Sequence, residues 1–182
     1  VCSRRASERY FWERPYGKSL FKMKEYTEKE LLNKAAAYCA SAEHCAAEVE
    51  AKLLQWGATP EAVTHILEWL EREKYIDSVR FCHFFVRDKY RFNQWGRNKI
   101  IQALKMKGLA PAAIEEGLTE IDTEEYASIL ARLLKQKSAS VKSGSTYERN
   151  AKLIRFAAGR GFTMQEILSH LPEADAYDAF VD

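Results

Sequence analysis

The apolar residues of this chain recur at helical spacing, and the same pattern returns three times along the sequence. Gly57, Gly108 and Gly161 lie 51 and 53 residues apart. Around each glycine, apolar residues stand eight and four positions before it and six and ten positions after it. Offsets of four place side chains on one helical face, so each glycine is predicted to separate two amphipathic helices.

Signals for helix ends fall where this pattern requires them. Each glycine is predicted to occupy the C′ position, where a left-handed backbone ends a helix. Thr59 followed by Pro60, and the capping box Thr163–Glu166, predict that a helix starts directly after two of the glycines. An earlier helix in each unit is predicted to begin after a capping residue, at Thr27, Asp77 and Asp122. Each unit therefore comprises three short helices.

The sequence predicts an all-α fold of three tandem three-helix repeats that form an elongated, curved helical array. One such unit alone buries too little apolar surface to be stable. The predicted segments are an N-terminal arm without clear periodicity (1–26), repeat 1 (27–74), repeat 2 (75–121), repeat 3 (122–172) and an acidic tail (173–182). The arm is expected to be mobile or loosely docked, and the tail to be frayed.

Two further expectations concern the helices that open repeats 2 and 3. Their buried faces are predicted at two sets of apolar residues, Phe81, Phe84 and Phe85 in repeat 2, and Tyr126, Ile129, Leu130, Leu133 and Leu134 in repeat 3. Residues 138–145 are rich in serine and are predicted to form a loop that ends in a second capping box, Ser145–Glu148.

The composition excludes several classes of protein. The chain has 182 residues, 47% hydrophobic and 30% charged, which is typical of a folded globular protein. No apolar run is long enough for a membrane span, and no secretory leader is expected, so a cytoplasmic protein with reduced thiols is predicted. Cys39, His44 and Cys45 lack the spacing of a metal site. Neither a catalytic group, a metal nor a cofactor is predicted.

The net charge of +2 hides alternating blocks of charge. Residues 27–73 carry a net charge of −5, and residues 74–108 carry +7. Residues 109–125 contain six acidic and no basic residues, residues 132–160 carry +7, and residues 161–182 contain five acidic residues and no basic ones. Such runs are often solvated helix faces, but two basic blocks could also face a polyanion or an acidic protein groove.

Two runs in the middle of the chain resemble the central motif of the RecX family. They are YIDSVRFCHFFVRDKYR at 75–91 and WGRNKIIQALKMKGL at 95–109. The family pattern has a Tyr-Leu-Asp-Asp helix start, an Arg-Phe-Ala run, an aromatic-valine pair, a Trp-Gly pair and a Lys-Gly-Ile helix end. Ser78 and Cys82 depart from it, as does Cys45 in the matching start of the second helix. The resemblance covers about residues 27–171 and is strongest over 75–109.

The resemblance implies a function and a partner. RecX-like proteins are built from tandem three-helix repeats, bind the RecA recombinase and restrain it. The resemblance thus implies a monomer that lodges in the groove of the RecA filament on single-stranded DNA and suppresses its ATPase, filament growth and strand exchange. Weak contact with single- or double-stranded DNA is left open.

The partner-binding residues are hypothesised to be the cations of the two basic blocks together with one tryptophan. They are Arg80, Arg87, Lys89, Arg91, Trp95, Arg97, Lys99, Lys105, Lys107, Arg149, Lys152 and Arg155. Tyr75 is predicted to plug the core between repeats, whereas Trp95 could equally be such a plug, an interface anchor or a platform on which bases stack.

Two other functions remain open. Three-helix units with basic blocks also suit a helix-turn-helix-like nucleic-acid binder that acts without RecA, through the helix after Gly96 or the helix after Ser145. An α-helical adaptor for another protein is the third alternative.

Overall fold

A computed structural model describes residues 26–142 and 145–171, and this part of the chain is helical, with no strand. In chain order the helices are α1 (Glu28–Ser41), α2 (Ala46–Gln55), α3 (Pro60–Arg72), α4 (Ser78–Arg91), α5 (Arg97–Met106), α6 (Pro111–Leu118), α7 (Thr123–Ser140), α8 (Thr146–Gly159) and α9 (Met164–Leu168). Repeat 1 comprises α1–α3, repeat 2 α4–α6 and repeat 3 α7–α9. The predicted all-α repeat array is confirmed. Apart from Tyr26, the N-terminal arm lies outside the described residues, as does the acidic tail.

The helix ends lie where the local signals place them. Gly57, Gly108 and Gly161 have φ angles of 88°, 77° and 92°, the left-handed conformation expected of a C′ glycine. The Thr59 hydroxyl accepts a hydrogen bond from the amide of Ala62, directly beyond the proline that opens α3. Four further capping residues are also confirmed by hydrogen bonds to the first turn of their helices: Thr27, Asp77, Asp122 and Thr163.

Two local predictions were wrong. Helix α7 continues through Ser140, into the stretch predicted to be a loop, because residues 135–140 contain no glycine or proline and the Ser140 hydroxyl donates to the carbonyl of Lys137 at 2.8 Å. Phe84 is 49% exposed rather than buried. The buried stripe of α4 includes Cys82 and Val86, and a residue two positions from either points to the opposite side of the helix.

The buried residues form two hydrophobic cores, which divide the array unevenly. Repeat 1 has its own core, with Leu31, Leu53 and Leu70 at its centre. Repeats 2 and 3 share a single core, which includes Leu104 and Leu130 and to which repeat 1 contributes one buried side chain, Cys45. The predicted buried face of α7 is confirmed at all five positions. Repeats 2 and 3 therefore form one packed unit.

The joint between repeats 2 and 3 is a close contact of two backbones. The amide of Gly96, the N-cap of α5, donates to the carbonyl of Arg160 at 2.8 Å, and the amide of Asn98 donates to the carbonyl of Gly161 at 3.0 Å. A Cβ atom added at Gly96 would collide with the backbone of Gly161 and Phe162. A Cβ atom at Gly161 would collide with Lys99. Both positions need glycine because two backbone segments of the protein are in direct contact there.

Substituting these glycines tests the joint. We expect Gly96→Ala to lower the free energy of unfolding by about 2 kcal/mol or more, because the new methyl group overlaps backbone that cannot move aside cheaply. Gly159→Ala is the control, since nothing lies within 4 Å of a Cβ atom there and the last turn of α8 accepts alanine. It should leave stability unchanged or raise it by up to about 1 kcal/mol. Urea denaturation measures both, and equal stabilities would contradict the close contact.

Candidate partner-binding surfaces

Many of the cations predicted to bind a partner are engaged inside the protein, at the joints between repeats. Arg80 and Lys107 reach back to repeat 1: Arg80 Nε lies 2.7 Å from Glu43 Oε1, and Lys107 Nζ lies 2.5 Å from Glu48 Oε1. The Arg80 guanidinium also donates to the carbonyls of Lys74 and Tyr75. These two cations therefore attach repeat 2 to repeat 1.

Two other arginines of repeat 2 reach forward to repeat 3. Arg91 Nε lies 2.9 Å from Glu125 Oε2, and Arg97 Nε lies 3.6 Å from Glu166 Oε1. Arg87 Nε lies 3.7 Å from Glu120 Oε2, just beyond the end of α6. Of the arginines of the middle repeat, Arg80 therefore lies at the joint with repeat 1, and Arg91 and Arg97 lie at the joint with repeat 3. Arg87 pairs within its own repeat.

Tyr126 organises the joint between repeats 2 and 3. Its hydroxyl accepts a hydrogen bond from the amide of Arg97 at 2.9 Å and donates to Glu166 Oε2 at 3.4 Å. Burial, reinforced by the nearby Glu166 carboxylate, raises the pKa of the Tyr126 phenol far above its ordinary value. The hydroxyl is therefore neutral, which lets it donate and accept at once.

Around Lys107, the joint between repeats 1 and 2 is a polar chain. Glu48 accepts from Lys107 and lies 3.1 Å from Nδ1 of His44, whose ring stacks on Tyr38 with centroids 3.8 Å apart. Burial of Glu48 works against its charge, but the hydrogen bonds from Lys107 and His44 outweigh this and hold the pKa of the carboxyl below its ordinary value. The pKa of the Lys107 ammonium is correspondingly raised by its bond to Glu48.

Lysines and aromatic rings alternate on the surface of repeat 2. Lys89 Nζ lies 5.1 Å from the ring centroid of Phe85 and 5.9 Å from that of Trp95. Lys99 Nζ lies 4.5 Å from the Trp95 centroid, and Lys107 Nζ lies 5.9 Å from that of Phe85. We call these five residues the aromatic–lysine strip. Trp95 is half-buried against the shared core and presents part of its ring to this strip.

Tyr75 does not plug the core. It is 37% exposed and stacks on Trp69 of repeat 1, with centroids 5.6 Å apart. The prediction of a buried plug was therefore wrong. The neighbouring residue Ile76, which is 2% exposed, fills the core of repeat 1 instead. Once Ile76 is directed inward, the side chain beside it is directed toward solvent.

The three cations of repeat 3 that were predicted to bind a partner are not held by carboxylates. Within residues 26–142 and 145–171, no carboxylate lies within 4.0 Å of a charged nitrogen of Arg149, Lys152 or Arg155. Lys152 and Arg155 line a groove between α7 and α8, which we call the third-repeat groove. Its residues are Lys137, Val141, Lys142, Lys152, Arg155 and Phe156.

Sequence reasoning missed five residues of these two surfaces, namely Phe85, Lys137, Val141, Lys142 and Phe156, and it missed Arg160, which contacts Phe156. Lys137 Nζ and the Arg160 guanidinium lie 5.3 Å and 5.0 Å from the Phe156 ring centroid. Arg160 also donates to the carbonyl of Asn93 at 3.4 Å, across the joint between repeats 2 and 3. An aromatic residue four positions before a cation, as in Phe85–Lys89 and Phe156–Arg160, was the signal available in the sequence.

The cysteines and histidines form no metal centre in the described part of the chain. Cys39, Cys45 and Cys82 are free and buried. Burial raises the pKa of the Cys82 thiol to about 11, and it also raises the pKa values of the Cys39 and Cys45 thiols, so all three thiols are protonated. No helix among those described has the length and apolar character needed to cross a bilayer.

Comparisons with known proteins identify the repeats. Residues 79–118 match the family model of the second three-helix domain of RecX, and residues 124–171 match that of the third. The chain is 34% identical over 128 residues to "Regulatory protein RecX" of Pelodictyon phaeoclathratiforme, covering 70% of this chain and 78% of that one. It is 31% identical to the protein of the same name from Clostridium botulinum (strain Eklund 17B / Type B), covering 73% of this chain and 63% of that one.

A solved structure supports the fold. The crystal structure of RecX from Lactobacillus salivarius superposes with a TM-score of 0.70 at 18% identity, covering 79% of this chain and 93% of that one.

The polar joint predicts a pH-dependent stability. Because the folded pKa of Glu48 is below its ordinary value of 4.5, its contribution is complete above pH 4.5 and is lost as the pH falls through the folded pKa. We expect Glu48→Gln to be less stable than the wild type at pH 7 by about 1 kcal/mol or less, given the partial exposure of the pair. The difference should shrink below pH 4.5, as measured by urea denaturation between pH 7 and pH 3.

The matched control is Glu50→Gln. Glu50 lies on the same helix, is exposed, and has no described basic group within 4.0 Å. Its substitution should leave stability unchanged at every pH. A Glu48→Gln deficit that persists undiminished at pH 3 would show that the loss does not come from the carboxylate charge.

Proposed function

The chain belongs to the RecX family of regulatory proteins, and on this premise we propose that it binds the RecA recombinase on single-stranded DNA and restrains it. It lodges in the groove of the RecA filament and suppresses ATPase activity, filament growth and strand exchange. It acts by binding rather than by catalysis, as a monomer in the cytoplasm, where RecA filaments form.

The observation that carries this proposal is the set of cations that remain available after the joints are made. Carboxylates of neighbouring elements hold Arg80, Arg87, Arg91 and Arg97. Among the cations predicted to bind a partner, those without such a carboxylate in the described chain are Lys99, Lys105, Arg149, Lys152 and Arg155. A surface of this kind can contact acidic faces of filament subunits, and its long-range attraction favours fast, salt-sensitive association.

The rigidity of repeats 2 and 3 supports the same proposal. The aromatic–lysine strip and the third-repeat groove lie on two repeats that share one core and one backbone joint. Arg160 links them directly, since it contacts Phe156 of the groove and the carbonyl of Asn93, two residues before Trp95. A preorganised surface loses little conformational entropy on binding, which favours affinity.

Charge reversal in the groove tests where RecA is bound. We expect Lys152→Glu combined with Arg155→Glu to raise the concentration needed for half-inhibition of the DNA-dependent ATPase of RecA about tenfold or more. Both side chains lie on the surface of α8 and bind no carboxylate in the described chain, so helicity should be unchanged. The matched control is Lys29→Glu with Arg72→Glu on repeat 1, which changes the net charge equally.

Two outcomes would contradict this proposal. An excess of wild-type protein that leaves the ATPase and strand exchange of RecA unchanged would refute the function itself. Equal losses in the groove variant and in its control would refute only the groove as the contact. Reversal of Arg91 or Arg97 is a poor test, because these residues bind Glu125 and Glu166 across a joint. Reversal would bring two carboxylates together there, so we expect it to weaken the joint as well as any contact with a partner.

A second candidate function is nucleic-acid binding without RecA. It is favoured by the alternation of rings and lysines in the aromatic–lysine strip and by the cations of the third-repeat groove. Aromatic side chains that stack on bases beside cations that contact phosphates are typical of surfaces for single strands. The hypothesis of a helix-turn-helix-like protein predicts that two helices contact phosphates. They are α5, which follows Gly96, and α8, which follows Ser145.

Binding to labelled DNA in the absence of RecA separates the two functions. If RecA is the partner, we expect weak binding without sequence preference, and tight sequence-selective binding to duplex DNA would instead establish the second function. In either case the Lys152→Glu, Arg155→Glu variant should reduce the slope of log affinity against log salt by about 2, one phosphate contact per cation. Fluorescence anisotropy over a salt series measures this slope, and an unchanged slope would exclude these two cations from the DNA contact.

A further inference from the structure

Repeat 1 contains an apolar groove that none of the functions argued above uses. It lies between α1 and α3, and its volume is about 320 Å³. The groove is lined by Glu28, Lys29, Leu32, His65, Ile66 and Trp69. Trp69 stacks on the exposed residue Tyr75, so an aromatic surface continues from the groove toward solvent. The groove therefore offers space and apolar contacts to an aromatic side chain.

The margin of this groove is acidic. Repeat 1 carries a net charge of −5 over residues 27–73. Three exposed carboxylates of α3, those of Glu61, Glu68 and Glu71, have no basic group within 4.0 Å in the described chain. Glu61 lies one turn before the groove residue His65, on the same side of α3. A basic segment is therefore attracted to this margin, and an acidic one is repelled.

The N-terminal arm has the complementary chemistry. Residues 1–25 contain seven basic and three acidic residues, which gives a net charge of +4. They also contain five aromatic residues, namely Tyr10, Phe11, Trp12, Tyr16 and Phe21. The other end of the sequence differs, since residues 172–182 contain four acidic residues and no basic one. Of these two segments, only the arm combines positive charge with aromatic rings.

The arm also joins the described chain beside the groove. Tyr26 directly precedes Thr27, the N-cap of α1, and the first turn of α1 contributes Glu28 and Lys29 to the groove. A segment tethered at this point acts at an effective concentration on the order of millimolar, so a modest affinity is enough to keep it bound. A separate partner with the same charge and the same aromatic content would have to displace it.

We propose that residues 1–25 bind in this groove of their own chain. An aromatic side chain of the run 10–12 occupies the groove against Leu32 and Trp69, which are half-buried on the core of repeat 1. The cations on either side of this run, Arg9 and Arg14, contact the carboxylates at the margin of the groove. The bound arm thereby covers the acidic face of repeat 1 with positive charge.

The first test compares the full chain with the triple variant Tyr10→Ser, Phe11→Ser, Trp12→Ser. NMR spectra report the indole N–H signals of Trp69 in the groove and of Trp95 in repeat 2. We expect the substitutions to shift the Trp69 signal and to leave the Trp95 signal unchanged, because the lost rings contact only the groove. Identical Trp69 signals in the two proteins would overturn the proposal, as would a shift of the Trp95 signal alone.

Limited trypsin digestion measures how firmly the arm is held, because a bound segment is cut only in the fraction of molecules that have released it. We expect cleavage within residues 1–25 to be about fivefold faster in Glu28→Gln with Glu61→Gln than in the wild type, since two carboxylates near the groove are lost. The matched control, Glu50→Gln with Glu71→Gln, removes the same charge from exposed positions of repeat 1 outside the groove and should change the rate less than about twofold. Equal acceleration in the two pairs would show general attraction to an acidic surface and would overturn the proposal.

Protein concentration distinguishes the arm of the same chain from the arm of a second copy. Binding within one chain leaves the Trp69 signal independent of concentration, and light scattering then shows a monomer. A dimer whose Trp69 signal shifts as the concentration rises would assign the groove to a second copy and would overturn the intramolecular contact. None of these tests uses RecA, so their failure leaves the proposed regulation intact.

Discussion

The structure depends most on the contact between two glycine backbones at the joint of repeats 2 and 3. Two hydrogen bonds, from the amides of Gly96 and Asn98 to the carbonyls of Arg160 and Gly161, link the start of α5 to the end of α8. These hydrogen bonds require the two backbone segments to lie so close together that a Cβ atom at Gly96 or Gly161 would overlap the facing segment. This contact closes the shared core and fixes the aromatic–lysine strip relative to the third-repeat groove. The joint between repeats 1 and 2 differs, since Lys107–Glu48 and Arg80–Glu43 ion pairs form much of it.

The helix ends were predictable because their causes are local. A glycine at C′, a threonine N-cap or a proline at N1 acts on residues within one turn, and the sequence displays each of them directly. The errors have other causes. Helical spacing alone does not show that Phe84 lies outside the buried stripe of α4, because spacing does not tell which face packs. The end of α7 was misplaced because the prediction followed the serine content of residues 138–145 and not the absence of glycine and proline from residues 135–140.

The use of the cations could not be predicted from single residues. Arg80 finds its carboxylate 37 residues earlier in the chain, and Lys107 finds its own 59 residues earlier. The alternation of charge blocks nevertheless contained this information in coarse form. The acidic blocks on either side of the middle basic block supply Glu43, Glu48, Glu120 and Glu125, which pair with four of its cations. The partner of Arg97, Glu166, comes from the acidic block at 161–182. Alternating blocks in a repeat protein can therefore indicate joints as well as surfaces.

Some cations pair with carboxylates at the joints, while others have no such partner. A chain of nearly zero net charge can therefore still present a strongly charged surface. In the middle repeat, attraction between blocks is used to assemble the array, and what remains on the surface is a few lysines held over Phe85 and Trp95. In the third repeat, Arg149, Lys152 and Arg155 meet no carboxylate in the described chain, so their field extends into the solvent. In the proposed function, long-range attraction of an acidic partner would begin at repeat 3, while the rings and lysines of repeat 2 would supply short-range contacts. The shared core holds these two surfaces at a fixed separation.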